Sequence, residues 1–180
     1  MATQLRRALV VSAFFLLVCG LAYPFAATGL AQAVFPHQAN GSLGANGSAL
    51  IGQHWNGPRW FQGRPDPDNP MATGGANLGP RSTKLVAKVA ARAAALRREG
   101  ITPTPDLVTS SGSGVDPDIS PAAADAQVDA VARARGLPTA VVRHLVASHV
   151  QGPALGFLGS SRVNVLALNQ ALARLRSRRR

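Results

Sequence analysis

The sequence is poor in cysteine, in acid and in aromatic side chains, and each shortage removes a class of protein. Its one cysteine, Cys19, permits neither an intramolecular disulfide nor a cysteine metal cluster. Cysteine usage therefore says nothing about the redox compartment. The histidines (His37, His54, His144 and His149) have no zinc spacing with cysteine, and no H-E-x-x-H occurs. His144 and His149 are five apart on one expected helix and do not share a face. Acid is scarce: Asp and Glu total 8 against 19 Lys and Arg, for a net charge of +11. Such a balance raises nucleic-acid binding. However, the base-rich end, with Arg174, Arg176, Arg178, Arg179 and Arg180, has no aromatic interleaved as a stacking platform. The aromatics after the N-terminal run are only Phe35, Trp55, Trp60, Phe61 and Phe157. The arrangement reads as a solvated basic tail, with no nucleic-acid partner. Proximity to anionic lipid also suits it.

From position 8 to 58 there is no Asp, Glu, Lys or Arg. The apolar part, residues 8–31, supplies the roughly 20 residues that a helix needs to cross a bilayer core. Leu9, Phe14, Phe15, Leu16, Leu17, Gly20 and Leu21 form the expected anchor, with Tyr23 at the interface and Pro24 as a kink or boundary. Arg6 and Arg7 precede the run, and no basic residue follows until Arg59. The positive-inside rule then puts the N-terminus in the cytoplasm and the rest outside. A cleaved signal is the rival reading, because Ala31-Gln32-Ala33 has the form of a cleavage site. The run exceeds the ~7–15 residues of a signal core, which favours a retained anchor. Either way the remainder is exported. The expected organisation is an N-terminal segment, 1–34, and a soluble domain, 35–180, long enough to build a core without staples.

Within the soluble part, Asn40-Gly41, Asn46-Gly47 and Asn56-Gly57 mark turns. Their Asn-Gly-Ser triplets at 40–42 and 46–48 also fit a glycosylation sequon but are read as turns. Short strands are expected at 48–53, from Trp60-Phe61 to Arg64-Pro65, and at 155–158. Residues 66–80 read as a long Pro/Gly/Asn loop. Residues 82–99 form the clearest helix, with Leu85, Val89, Ala93 and Leu96 on one face and Lys84, Lys88 and Arg92 on a solvated one. Gly100 suits the position just after its end. Residues 106–115 read as strand or loop. Ser120 and Pro121 are N-cap and first residue of a further helix. It continues or restarts through Val128, Val131 and Ala132 and stops at Gly136. Another helix begins at Pro138 with Val141, Val142, Leu145 and Val146 inward, and a last one carries Val165, Leu168, Leu172 and Leu175. The fold class is α+β: one transmembrane helix, then a small mixed domain, helix-rich with a few short strands.

The motifs that resemble chemical sites fail on particular residues. Gly74 to Gly79 imitates a phosphate loop, but Pro80 and Arg81 stand where lysine and a hydroxyl are needed. Ser111-Gly112-Ser113-Gly114 imitates a nucleophile elbow, yet Ser111 occupies the place of the first glycine. Asp116-Pro117-Asp118 would begin a calcium loop, but its sixth and twelfth positions are Pro121 and Gln127. No catalytic or metal-binding set is expected. An exported domain without chemistry suits an interaction module, although an anchored enzyme or an interaction domain of unrelated type is the alternative.

Several segments, in order along nearly the whole chain, resemble the KdpC family, the third of the subunit types that make up potassium-transporting P-type ATPases. They are Leu21-Ala22-Tyr23-Pro24, Phe35-Pro36-His37-Gln38-Ala39-Asn40-Gly41-Ser42 and Gly47-Ser48-Ala49-Leu50-Ile51-Gly52-Gln53. Arg64-Pro65, Gly74-Gly75-Ala76-Asn77-Leu78-Gly79-Pro80 and Ser113-Gly114-Val115-Asp116-Pro117-Asp118-Ile119-Ser120-Pro121 follow. Val131-Ala132-Arg133-Ala134-Arg135-Gly136 and Arg162-Val163-Asn164-Val165-Leu166-Ala167-Leu168-Asn169 complete the set. The resemblance implies a non-catalytic accessory subunit of a high-affinity potassium uptake complex in a bacterial plasma membrane. Its implied partners are a channel-like potassium-binding subunit, a P-type ATPase subunit and membrane lipid. It implies a role in assembly and stability and as a catalytic chaperone that raises the ATPase subunit's affinity for ATP. ATP is then a possible ligand, with no tightly bound cofactor. Gln53, Asn77, Ser113, Asn164 and Asn169 are the candidate partner contacts.

Overall fold

A computed structural model describes residues 1–44, 46–66 and 73–175. Part of the expected long loop, at 67–72, and most of the arginine tail, at 176–180, lie outside them. The chain divides into two compact units, Met1–Ser48 and Ala49–Arg180.

The first unit is dominated by one apolar helical stretch, Ala2–Val34. Its mean hydropathy reaches 2.2 and none of its most apolar window is buried. At 1.5 Å per residue it is about 50 Å long, more than a hydrocarbon core needs. It consists of α1 (Ala2–Leu17), a π-helical turn (Val18–Ala22) and α2 (Tyr23–Val34). The π-turn has a local cause. Pro24 has no N–H and its ring would crowd the carbonyl four residues back. The turn widens immediately before it, and Tyr23 N–H reaches back five residues to the Val18 carbonyl. The proline thus neither stops the helix nor marks its end. After α2 come a short helix, α3 (Pro36–Ala39), and a hairpin of β1 (Leu43–Gly44) with β2 (Gly47–Ser48).

The second unit holds the core. Its elements are α4 (Thr83–Arg98), α5 (Pro105–Val108), β3 (Asp118–Ile119), α6 (Pro121–Asp125) and α7 (Val128–Arg135), followed by α8 (Thr139–Ser148), β4 (Val150–Gln151), β5 (Arg162–Asn164) and α9 (Val165–Arg174). The strands form a small antiparallel sheet of order β3-β5-β4. Phe61, Leu96, Leu107, Ile119, Val128, Val142, Val163, Leu168 and Leu172 meet in one cluster. Capping fixes the helix starts. Ser82 Oγ accepts from Leu85 N–H (3.4 Å), Ser120 Oγ from Ala123 N–H (3.2 Å) and Asn164 Oδ1 from Ala167 N–H (3.0 Å). Gly136 ends α7 in the left-handed conformation that glycine tolerates (φ +65°).

Three expected strands are absent. Residues 49–53 are turn and coil after β2, residues 60–65 are coil, and residues 155–158 form a tight turn. Residues 106–115 contain a helical turn followed by coil, without a strand. On α4, Lys84 and Lys88 are exposed, but Arg92 is half-buried and its Nε donates to the Leu107 carbonyl at 3.2 Å. Its alkyl stem and head join α4 to α5, so it does not belong to a solvated stripe. Of the α8 residues expected inward, Val142 and Val146 are buried and Val141 is exposed.

Candidate functional site

Within the second unit the glycine-rich segments converge. Gly52 N–H donates to the Val115 carbonyl (2.8 Å), and Gly74 N–H to the Ser113 carbonyl (2.7 Å). Val165 N–H donates to the Pro117 carbonyl (3.0 Å), and Asn164 Nδ2 donates to the Ala49 carbonyl (3.0 Å) and to Asp118 Oδ1 (3.1 Å). Two glycines are sterically required here. A Cβ on Gly52 would lie 2.6 Å from the Asp116 carbonyl oxygen, and one on Gly114 would lie 2.5 Å from that of Gly74. Four segments distant in sequence, around 49–53, 74–75, 111–119 and 162–165, therefore share one loop junction.

Asp66 organises it. One carboxylate oxygen accepts from Ser111 N–H (2.6 Å), and the other from the Ser111 hydroxyl (2.7 Å) and Asp116 N–H (3.1 Å). Ser111 Oγ in turn accepts from Gly114 N–H at 2.8 Å. Arg64 Nη1 lies 3.1 Å from Asp106 Oδ1 and 3.9 Å from Asp116 Oδ2. Asp106 Oδ2 accepts from Ser120 N–H at 2.8 Å. Burial alone would raise the Asp106 pKa. The hydrogen bonds from Ser120 and the Arg64 charge together outweigh it and hold the carboxyl below its ordinary value. Arg162 Nε closes on Asp118 at 3.1 Å. The serines that imitate a nucleophile turn thus serve as ligands of an aspartate and of backbone N–H groups. Among the described residues no group of three His, Cys, Asp or Glu could hold a metal.

The candidate contact residues fall in three kinds of place. Ser113 is exposed at the junction, its Oγ accepting from Val115 N–H (3.2 Å), and Asn164 is half-buried at the start of α9. Gln53 is half-buried beside Gly52, and Asn77 is exposed with a left-handed backbone (φ +51°). Asn169 departs from expectation. It is fully buried, Phe61 N–H donates to its Oδ1 (3.0 Å), and its Nδ2 donates to the Phe61 carbonyl (2.9 Å). A side chain wholly inside the core, with its amide paired to backbone, offers nothing to a partner. Gln127, which sequence reasoning missed, does the same for the next residue. Its Oε1 accepts from Gln62 N–H (2.8 Å) and its Nε2 donates to the Gln62 carbonyl (3.1 Å). Two side-chain amides thus replace the strand that residues 60–65 lack. The available sequence signal was a polar amide inside each of two apolar helical faces.

Beside the junction is a groove of about 830 Å³ lined by Trp55, Trp60, Arg64, Arg92, Arg133 and Gln62 among others. Trp55 and Trp60 lie 5.0 Å apart, and the Arg135 guanidinium sits 4.3 Å over the Trp60 ring. Trp55 Nε1 and Arg64 Nε are buried without an acceptor among the described residues. Burial, reinforced by nearby Arg59, lowers the Arg135 pKa.

The chain matches the family described as "KdpC: K+-transporting ATPase, c chain" over residues 5–174. Among curated proteins it is 50% identical over 184 residues to the potassium-transporting ATPase KdpC subunit of Caulobacter vibrioides, covering 96% of this chain and 93% of that one. It is 50% identical over 186 residues to the protein of the same name from Sorangium cellulosum, covering 96% and 98%. The protein of that name from Variovorax paradoxus is 51% identical over 183 residues, covering 93% and 94%. The loop junction contains the same short segments that carried the resemblance, and the chain belongs to the KdpC family.

Proposed function

We propose that this chain is the anchored, non-catalytic accessory subunit of a potassium-transporting ATPase, and that its second unit acts outside the cytoplasm in assembly and stability. The family match over residues 5–174 carries this reading. The apolar stretch Ala2–Val34 suits a single membrane span, with Arg6 and Arg7 at its cytoplasmic end. Its glycines support packing against partner helices. A Cβ on Gly29 would meet nothing within 4 Å, and one on Gly20 would meet only Leu16. Nothing within this chain requires glycine there, whereas close helix–helix approach in a bilayer favours small residues. The implied partners are a channel-like potassium-binding subunit and a P-type ATPase subunit. Gln53, Asn77, Ser113 and Asn164 are the polar groups proposed to face them.

Co-purification tests the assembly role. Gly20→Leu with Ala27→Leu is expected to weaken recovery of the partner subunits with this chain. Unchanged assembly would contradict docking through the helix.

A second reading assigns the chain the role of raising the ATPase subunit's affinity for ATP. The groove favours it, since Arg64, Arg92 and Arg133 offer positive charge and the Trp55–Trp60 pair offers a stacking surface. This reading needs the domain on the cytoplasmic side, where ATP is, and so opposes the topology drawn from Arg6 and Arg7. Photolabelling of the assembled complex with an azido-ATP tests it. Label on Trp55 or Trp60 supports it. Label found on the ATPase partner alone contradicts it.

A further inference from the structure

We propose that the turn between β4 and β5 dips into the lipid–water interface of the membrane that anchors the chain. From His144 to Ser161 there is no Asp, Glu, Lys or Arg, and from Gly152 to Gly159 there is no polar side chain at all. Tight turns on a watered surface favour Asn, Asp, Ser and Gly. This one carries Leu155, Phe157 and Leu158 at 83%, 73% and 52% exposure. Single exposed apolar residues need no explanation, but three on one turn form a patch.

The backbone suits entry into a weakly polar layer. Ala154 and Leu158 exchange both hydrogen bonds at 2.9 Å. Gly156 N–H donates to the Pro153 carbonyl (3.1 Å) and Phe157 N–H to the Ala154 carbonyl (3.3 Å). The turn therefore carries its donors already paired, as hydrocarbon surroundings demand. Leu155 holds a left-handed backbone (φ +53°) between residues that include Gly156 (φ +83°) and Gly159 (φ +86°). Leucine is disfavoured there relative to glycine or asparagine, so the turn keeps a large apolar side chain at its crest against conformational preference.

The occupant follows from the chemistry. Protein hot spots are rich in Trp, Tyr and Arg, which combine contact area with hydrogen bonding. This tip offers area alone, which fits the headgroup–acyl boundary that takes up Phe and Leu. The inference rests on the reading that Ala2–Val34 spans a bilayer, because a domain joined to such a span works at a membrane surface. It holds for either sidedness.

The test uses the full chain, reconstituted alone into phosphatidylethanolamine–phosphatidylglycerol vesicles. A nitroxide is placed at position 157 (Cys19→Ser with Phe157→Cys), at 155 (Cys19→Ser with Leu155→Cys), or at exposed Thr102 as control (Cys19→Ser with Thr102→Cys). The expected result is a ratio of oxygen to polar-relaxant accessibility several-fold higher at 157 and 155 than at 102. Equal ratios in chain that resists carbonate extraction would overturn the proposal alone. Shielding that appears only after the partner subunits are added would overturn it in favour of a protein pocket. Extraction of the chain by carbonate would overturn the anchor reading and this proposal together.

Discussion

The two units handle apolar residues in opposite ways. In the Ala2–Val34 stretch Leu9, Phe14, Phe15, Leu16 and Leu17 all face outward, and no residue of α1 or α2 is buried. In the second unit Phe61, Leu107, Leu168 and Leu172 are sealed inside, and the loop junction turns its polar groups onto one another. The first arrangement is stable only in a medium as apolar as the side chains themselves. The second depends on water outside and complete pairing inside. The contrast teaches that an outward phenylalanine reports on the solvent and an inward one on the core.

Paired substitutions sharpen this contrast. Phe61→Ala should destabilise the second unit by about 3–5 kcal/mol, as deletion of a fully buried ring does. Phe14→Ala should leave the unit's urea midpoint unchanged when the full chain is unfolded in detergent. A charge at the centre of the span, Leu17→Arg, should cost about 2.5–3.5 kcal/mol of insertion. Carbonate extraction of membranes would then release more of the chain. Asn169→Ala would strand the buried N–H and carbonyl of Phe61, with an expected loss of about 1–3 kcal/mol. A midpoint unchanged in that variant would break the claim that this amide braces the core. Ser120→Ala removes one helix cap and should lower stability by about 1 kcal/mol in the same assay.

The smallest effect expected is on acid stability. The folded Asp106 pKa is depressed, so its contribution is present above the unfolded value, about 3.9. It is lost as pH falls through the lower folded value. Asp106→Asn should flatten the unfolding midpoint across that acid window. A slope identical to that of the parent chain would show that Arg64 and Ser120 do not favour the charged form.

Local signals were legible in the sequence. Ser82, Ser120 and Gly136 mark helix boundaries because a cap involves only neighbours, and the Asn-Gly pairs mark turns with positive φ at Gly41, Gly47 and Gly57. Long-range pairing was not legible. Residues 60–65 have strand-like composition, yet their backbone partners are amides of Gln127 and Asn169, far away in the chain. Strands as short as Asp118–Ile119 have no period to read. Arg92 sat in register with Lys84 and Lys88, and only the position of α5 draws it inward. In the candidate site the segment motifs were readable one by one. Their meeting through Gly52, Gly74, Ser113 and Asn164 required the fold. Asn169 was misplaced because an amide on an apolar helix face reads alike whether it meets a partner or a buried backbone.

If the second unit works outside the cytoplasm as an assembly module, its sidedness is the property to measure. Cys19→Ser with Thr102→Cys gives one exposed thiol on that unit. Intact cells would be treated with a membrane-impermeant maleimide and compared with lysed cells. Equal labelling in both is the predicted result. Labelling only after lysis would contradict it, put the groove on the side of ATP, and make the nucleotide-affinity role the leading one.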